Sequence, residues 1–144
     1  MSNNEVISIL NRLIETCTKS QKVFRTAAEN VQNSEFRRLF NIFSQQRTQF
    51  ITELQAEVHR LGGEVNIEST PEPLKTLPFK SAVGGMRDES ASIAECQREE
   101  EAAVHEYQHA LKADLQLDVQ YVVKRQYMDI KDAYDRIRIL QRAA

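Results

Sequence analysis

The chain of 144 residues has no tryptophan, two cysteines, three prolines and four glycines, and each shortage removes a class of protein. Cys17 and Cys96 are far apart and form no C-x-x-C pair, so neither a zinc cluster nor a redox dithiol is indicated. Both fall on apolar helical faces and read as small buried hydrophobes. Nowhere do roughly eighteen apolar residues follow one another, and MSNNEVISIL lacks the basic start and apolar run of a secretory signal. The expectation is a cytoplasmic protein without a membrane span. An excess of one charge is also missing. Nineteen basic residues against twenty-one acidic ones, with Lys and Arg scattered, leave no electrostatic footprint for a nucleic acid. There is no Gly-rich phosphate loop and no nucleophile motif.

The few breakers sit together. Glycine occurs only as Gly62-Gly63 and Gly84-Gly85, and Pro71, Pro73 and Pro78 all lie between those pairs. Outside that stretch the apolar residues recur at three and four, the helical period. Val6, Leu10, Leu13, Cys17, Phe24, Ala27 and Val31 form one seam; Phe36, Leu39, Phe43, Phe50, Leu54, Val58 and Leu61 form the next. Asn33 or Ser34 suits the N-cap of the second helix, and Gly62-Gly63 its stop. Ile93, Cys96, Ala103, Tyr107 and Leu111 mark a third helix, and Val119, Val123, Ile130, Ala133 and Ile137 a fourth.

These seams predict an all-α single domain over 1–144, with helices at about 4–31, 34–61, 88–113 and 117–142 and a link over 62–87. Four amphipathic helices bury four stripes as a four-helix bundle. Short connections make helices one and two, and helices three and four, antiparallel hairpins. The link between helices two and three is far longer than a hairpin needs, which predicts one crossover along the bundle. Leu74, Leu77, Phe79 and Val83 are apolar enough for the link to lie against the helices.

The third helix carries Glu95, Glu99, Glu100, Glu101, His105, Glu106 and His109, and so looks like half of an iron site. A carboxylate-bridged di-iron bundle needs a Glu from each of two helices and a Glu-x-x-His from each of the other two, all pointing inward. The chain has one Glu-x-x-His, Glu106 to His109. Turning about 100° per residue from the seam places Glu106 about 100° and His109 about 160° off the core direction. Only Glu100 stays within the seam. Glu57 is the other seam carboxylate, on the order of 16 Å away along the bundle axis, whereas paired metal ions lie about 3.5–4 Å apart. The two cannot share a metal pair.

Glu100, Arg47 and Ser20 all fall at about the same depth, three turns in, with Gln126 about a turn below and Tyr134 about a turn above. The expectation is a buried polar layer of Glu100, Arg47, Ser20, Gln126 and Tyr134, in which Arg47 supplies the partner that a core-facing carboxylate requires. No catalytic, cofactor or metal residues are assigned. The apolar residues off the seams, Ile7, Ile14, Tyr121 and Ile139, are modest grounds for a homodimer or other homo-oligomer.

Several stretches resemble a known family: LNRLIETCTKSQKVFRTAAENV, QQRTQFITELQAEVHRLGG, ECQREEEAAVHEYQHAL and YDRIRIL. The most specific pieces are F-x-x-A-A-E from Phe24 to Glu29, the Leu61 to Gly63 stop, and E-x-A-x-x-x-x-Y at Glu100, Ala102 and Tyr107. Together they resemble a bacterial family of ferritin-like four-helix-bundle proteins classed as a domain of unknown function. The resemblance implies a ferritin-like bundle with a crossover and no assigned activity, and it brings no metal ligands, because the usual positions do not match. Relatives tend to carry a Gly-rich link with His and Trp, which GEVNIESTPEPLKTLPFKSAVGG lacks. The functional expectation is a metal-free binding or self-associating protein, with stress as one setting, no cofactor and no nucleic-acid or membrane partner. The alternative is a di-iron carboxylate protein that stores or oxidises iron.

Overall fold

The computed structural model describes residues 1–65 and 89–143. Four helices account for nearly all of them: α1 (Asn3–Asn30), α2 (Ser34–Arg60), α3 (Glu89–Leu111) and α4 (Leu117–Ala143). Their ends follow from local chemistry. Ser2 caps α1 in a capping box, its side chain accepting from Glu5 N while Glu5 reaches back to Ser2 N. Asn33 caps α2 by accepting from Glu35 N and Phe36 N at 2.9 and 3.1 Å. At the other end Gly62 takes φ +84°, and Gly62 N and Gly63 N donate to His59 O and Val58 O. That pair of bonds is the Schellman closure, and glycine reaches its left-handed backbone without strain. Gly63 is needed for space: a Cβ there would meet the Ile7 side chain at 2.7 Å.

Side-chain pairs fix the directions. Ser44 donates to Gln21 O, and Asn11 donates to Glu64 O, so α1 and α2 run antiparallel. Gln108 meets Tyr127 and Glu101 meets Tyr134, which does the same for α3 and α4. Arg12–Glu106 joins α1 to α3, and Arg125–Glu53 joins α4 to α2. Hence α2 finishes at the bundle end that holds Asn3 and Gln116, which share a hydrogen bond, whereas α3 starts at the opposite end, where Glu89 accepts from Gln32 N and Asn33 N. The connection between α2 and α3 therefore crosses from end to end. Most of the expected link, from residue 66 on, and its proposed packing through Leu74, Leu77, Phe79 and Val83 lie outside the described residues.

The interior falls into two apolar clusters. One gathers Val6, Leu10, Leu13, Phe50, Leu54, Val58, Val119 and Val123; the other gathers Phe24, Phe40, Phe43, Ile93, Cys96 and Ile137. Phe24 anchors the second, stacked on Phe40 at 6.2 Å and tilted against Phe43 at 5.4 Å. Two expectations about α1 need correcting. Ile14 is fully buried and offers a partner nothing, and Ile7 is partly buried and packs on the first cluster. The reason is geometric: α1 packs against both α2 and α3, so it buries a face wider than one seam.

Candidate functional site

Between the two apolar clusters lies a polar layer. Arg47 of α2 and Glu100 of α3 are both fully buried and meet across the centre. Arg47 Nη1 donates to Glu100 Oε1 at 2.6 Å and Nη2 donates to Oε2, a bidentate pair. The helical period explains why both point inward, because each occupies a seam position of its own helix. The guanidinium also lies over two rings, with its Cζ 5.2 Å from the Phe24 centroid and 5.9 Å from that of Phe50. Burial works against its charge, but Glu100 outweighs burial and holds the Arg47 pKa above its ordinary value. Its Nε finds no acceptor among the described residues.

A second chain of polar contacts lies nearby. Tyr107 donates its hydroxyl proton to Gln126 Oε1 at 2.7 Å and stands 3.1 Å from Cys17 Sγ. Since that phenol proton is committed to Gln126, the thiol is the donor in the sulfur contact. Gln126 Nε2 donates in turn to Phe50 O at 3.3 Å and to Glu53 Oε1 at 2.9 Å. Arg125 donates to the same Glu53 oxygen at 2.8 Å. Partial burial would raise the Glu53 pKa, but the donors Gln126, Arg125 and Gln49 lower it below the usual carboxylate value. Burial pushes the Cys17 thiol up to about 11 and also raises the Cys96 thiol and the Tyr107 phenol above their ordinary values. None of these groups is a ready nucleophile near neutral pH.

Of the five residues expected in the layer, Arg47 and Glu100 meet directly, and Gln126 is fully buried one contact chain away. Ser20 is buried too, but its hydroxyl donates to Thr16 O within its own helix. Tyr134 does not belong to the layer. It is half-buried, and its hydroxyl donates to the exposed Glu101 at 2.8 Å, with Arg138 over the ring. Its long phenol starts from the flank of α4 and reaches outward to a charged acceptor. Tyr107 takes the interior place instead. The helical period alone shows Tyr107 as an apolar seam residue; the signal for its polar role is that a buried phenol usually takes a partner, and Gln126 lies within reach. Glu57, also expected to face the core, is half-buried and pairs with Arg60.

The apparent iron half-site disperses. His59, His105 and His109 are exposed, and Glu106 is engaged by Arg12 at 2.8 Å. Among the described residues no three His, Cys, Asp or Glu side chains gather as a metal-holding group. Among the described residues the donor chemistry at mid-bundle does not fit a di-metal centre: the one fully buried carboxylate has both oxygens taken by a permanently charged guanidinium, the part-buried Glu53 is held by Arg125 and Gln126, and the other groups are a thiol, a phenol and an amide.

The four described helices, in two antiparallel hairpins joined end to end by one crossover around a polar mid-layer, define a ferritin-like bundle. The chain belongs to the family described as Domain of unknown function (DUF2383), whose model matches residues 5–113, from α1 through α3. A solved structure from Anabaena variabilis, a two-domain protein containing DJ-1/ThiJ/PfpI-like and ferritin-like domains, is similar with a TM-score of 0.80 at 15% sequence identity. The match covers 99% of this chain and 37% of that one, so the likeness concerns the fold. No curated protein matches the sequence. Among the described residues no helix is long and apolar enough to cross a membrane.

Proposed function

We propose that the protein is a metal-free, non-enzymatic bundle of the cytoplasm that acts by binding a partner or associating with copies of itself. The supporting observation is the bidentate Arg47–Glu100 pair at the height where a di-iron bundle would carry its ligands. A guanidinium is charged at every physiological pH, so it repels a cation from Glu100, the one fully buried carboxylate among the described residues, while satisfying both of its oxygens. The layer thus holds the two hairpins together at mid-height. Large apolar side chains exposed on α4 support the self-association half of this reading.

The test is metal content. The protein, produced with abundant iron and purified without chelator, should carry well under one iron or manganese per chain. Near-stoichiometric metal that is lost in Glu100→Ala would overturn the proposal in favour of iron storage or oxidation.

A further inference from the structure

Among the described residues, no other element covers the outer face of α4. Leu117, Tyr121, Met128 and Ile139 are 80%, 69%, 62% and 62% exposed. At about 100° per residue they fall within roughly 40° of one another. They point away from Val119, Val123, Ile130 and Ile137, which face the core. Single exposed apolar residues need no explanation, but four aligned over about 33 Å of helix do. Lys124, Asp132 and Asp135 share that face. The row Leu117, Tyr121, Lys124, Met128, Asp132, Asp135, Ile139 is spaced four, three, four, four, three and four residues, the same in both directions about Met128.

We propose that this face binds a second copy of the chain, with the two α4 helices antiparallel about a two-fold axis near Met128. The inference rests on the self-association half of the proposed function and names its surface. Complementarity is what selects the occupant. In the antiparallel arrangement Leu117 comes level with the partner's Ile139, Tyr121 with the partner's Asp135, Lys124 with the partner's Asp132, and Met128 with its own image. Apolar meets apolar, a phenol meets a carboxylate, an ammonium meets a carboxylate, and symmetry repeats each match. A parallel pairing would set Lys124, Asp132 and Asp135 each against itself, which like-charge repulsion opposes. Within one chain Asp132 pairs with Arg136 at 3.2 Å and Asp135 with Lys131 at 3.6 Å. Both pairs are solvent-exposed, so they are weak enough to exchange partners.

Sedimentation of the full chain at tens of micromolar tests the proposal. The wild type should sediment as a dimer, twice 16.6 kDa. Met128→Arg places two guanidinium groups on the axis and should weaken the dimer at least about ten-fold, with helix content unchanged. Lys124→Asp should weaken it as well, and the double variant Lys124→Asp/Asp132→Lys should restore it. Under mild oxidation, a mixture of Leu117→Cys and Ile139→Cys chains should cross-link to each other while neither cross-links alone. A wild-type monomer would overturn both this proposal and the self-association half of the proposed function, leaving the metal-free core untouched. A dimer indifferent to Met128→Arg and Lys124→Asp would overturn only the α4 face. Self-cross-linking of Leu117→Cys alone would overturn the antiparallel arrangement.

Discussion

Replacing Glu100 by alanine removes one side of a pair that has no access to water on either side. Arg47 would remain between Phe24 and Phe50 with Nη1 and Nη2 stripped of their acceptor, joining an Nε that already has none among the described residues. Leaving a buried charge uncompensated in this way costs about 3–5 kcal/mol. Against a total stability on the order of 5–15 kcal/mol, that is a large share. At roughly 3 °C per kcal/mol for a domain of this size, the melting temperature should fall by roughly 9–15 °C. Arg47→Met should cost a similar amount, because it strands the carboxylate. The double variant Arg47→Met/Glu100→Leu replaces the pair by apolar groups of comparable length and should lose less than either single change. Urea unfolding followed by circular dichroism gives all three free energies and their coupling. A loss within about 0.5 kcal/mol for Glu100→Ala, or a double variant that loses the full sum of the singles, would refute a buried, mutually dependent pair.

Other outcomes follow from the surrounding groups. Tyr107→Phe leaves Gln126 Oε1 and the Cys17 thiol without their partner and should cost about 1–3 kcal/mol, whereas Tyr134→Phe at the surface should stay within about 0.5 kcal/mol; the same urea titrations measure both. Cys17 keeps its proton in the folded chain to about pH 11 but ionises near 9 once unfolded. Its contribution is therefore complete below about pH 9 and is lost as pH rises toward 11, so the urea midpoint should drop across that window and drop less in Cys17→Ala. The same protonation makes both thiols inert to maleimide at pH 8 until the chain is unfolded; rapid native labelling would contradict their burial. Gly62→Ala forces a side chain into a left-handed backbone at φ +84° and should cost roughly 1–2 kcal/mol, which thermal unfolding would show.

What the sequence discloses is governed by periodicity. Arg47 and Glu100 are legible because each interrupts an apolar seam, and a charge at such a position has few places to go. The two hairpins and the crossover are legible from the lengths of the connections alone. Less is visible where a helix buries more than one seam. Ile14, Thr18 and Gln21 lie off the α1 seam yet are buried, and Phe40 lies off the α2 seam yet stacks on Phe24. A single stripe per helix underestimates the burial of a helix with two neighbours. The exchange of Tyr134 for Tyr107 has a different origin. Rotation angles locate a Cα, but a phenol at the flank of a helix turns toward whichever acceptor it can reach, and Glu101 is outside while Gln126 is inside.

Crystals grown with ferrous iron and measured at the iron absorption edge would test most directly whether an arginine, and not an ion, neutralises Glu100. If Arg47 holds that role, the anomalous map is flat between the four helices and both guanidinium arms lie on the carboxylate. An anomalous peak coordinated by Glu100, with Arg47 turned away, would contradict it.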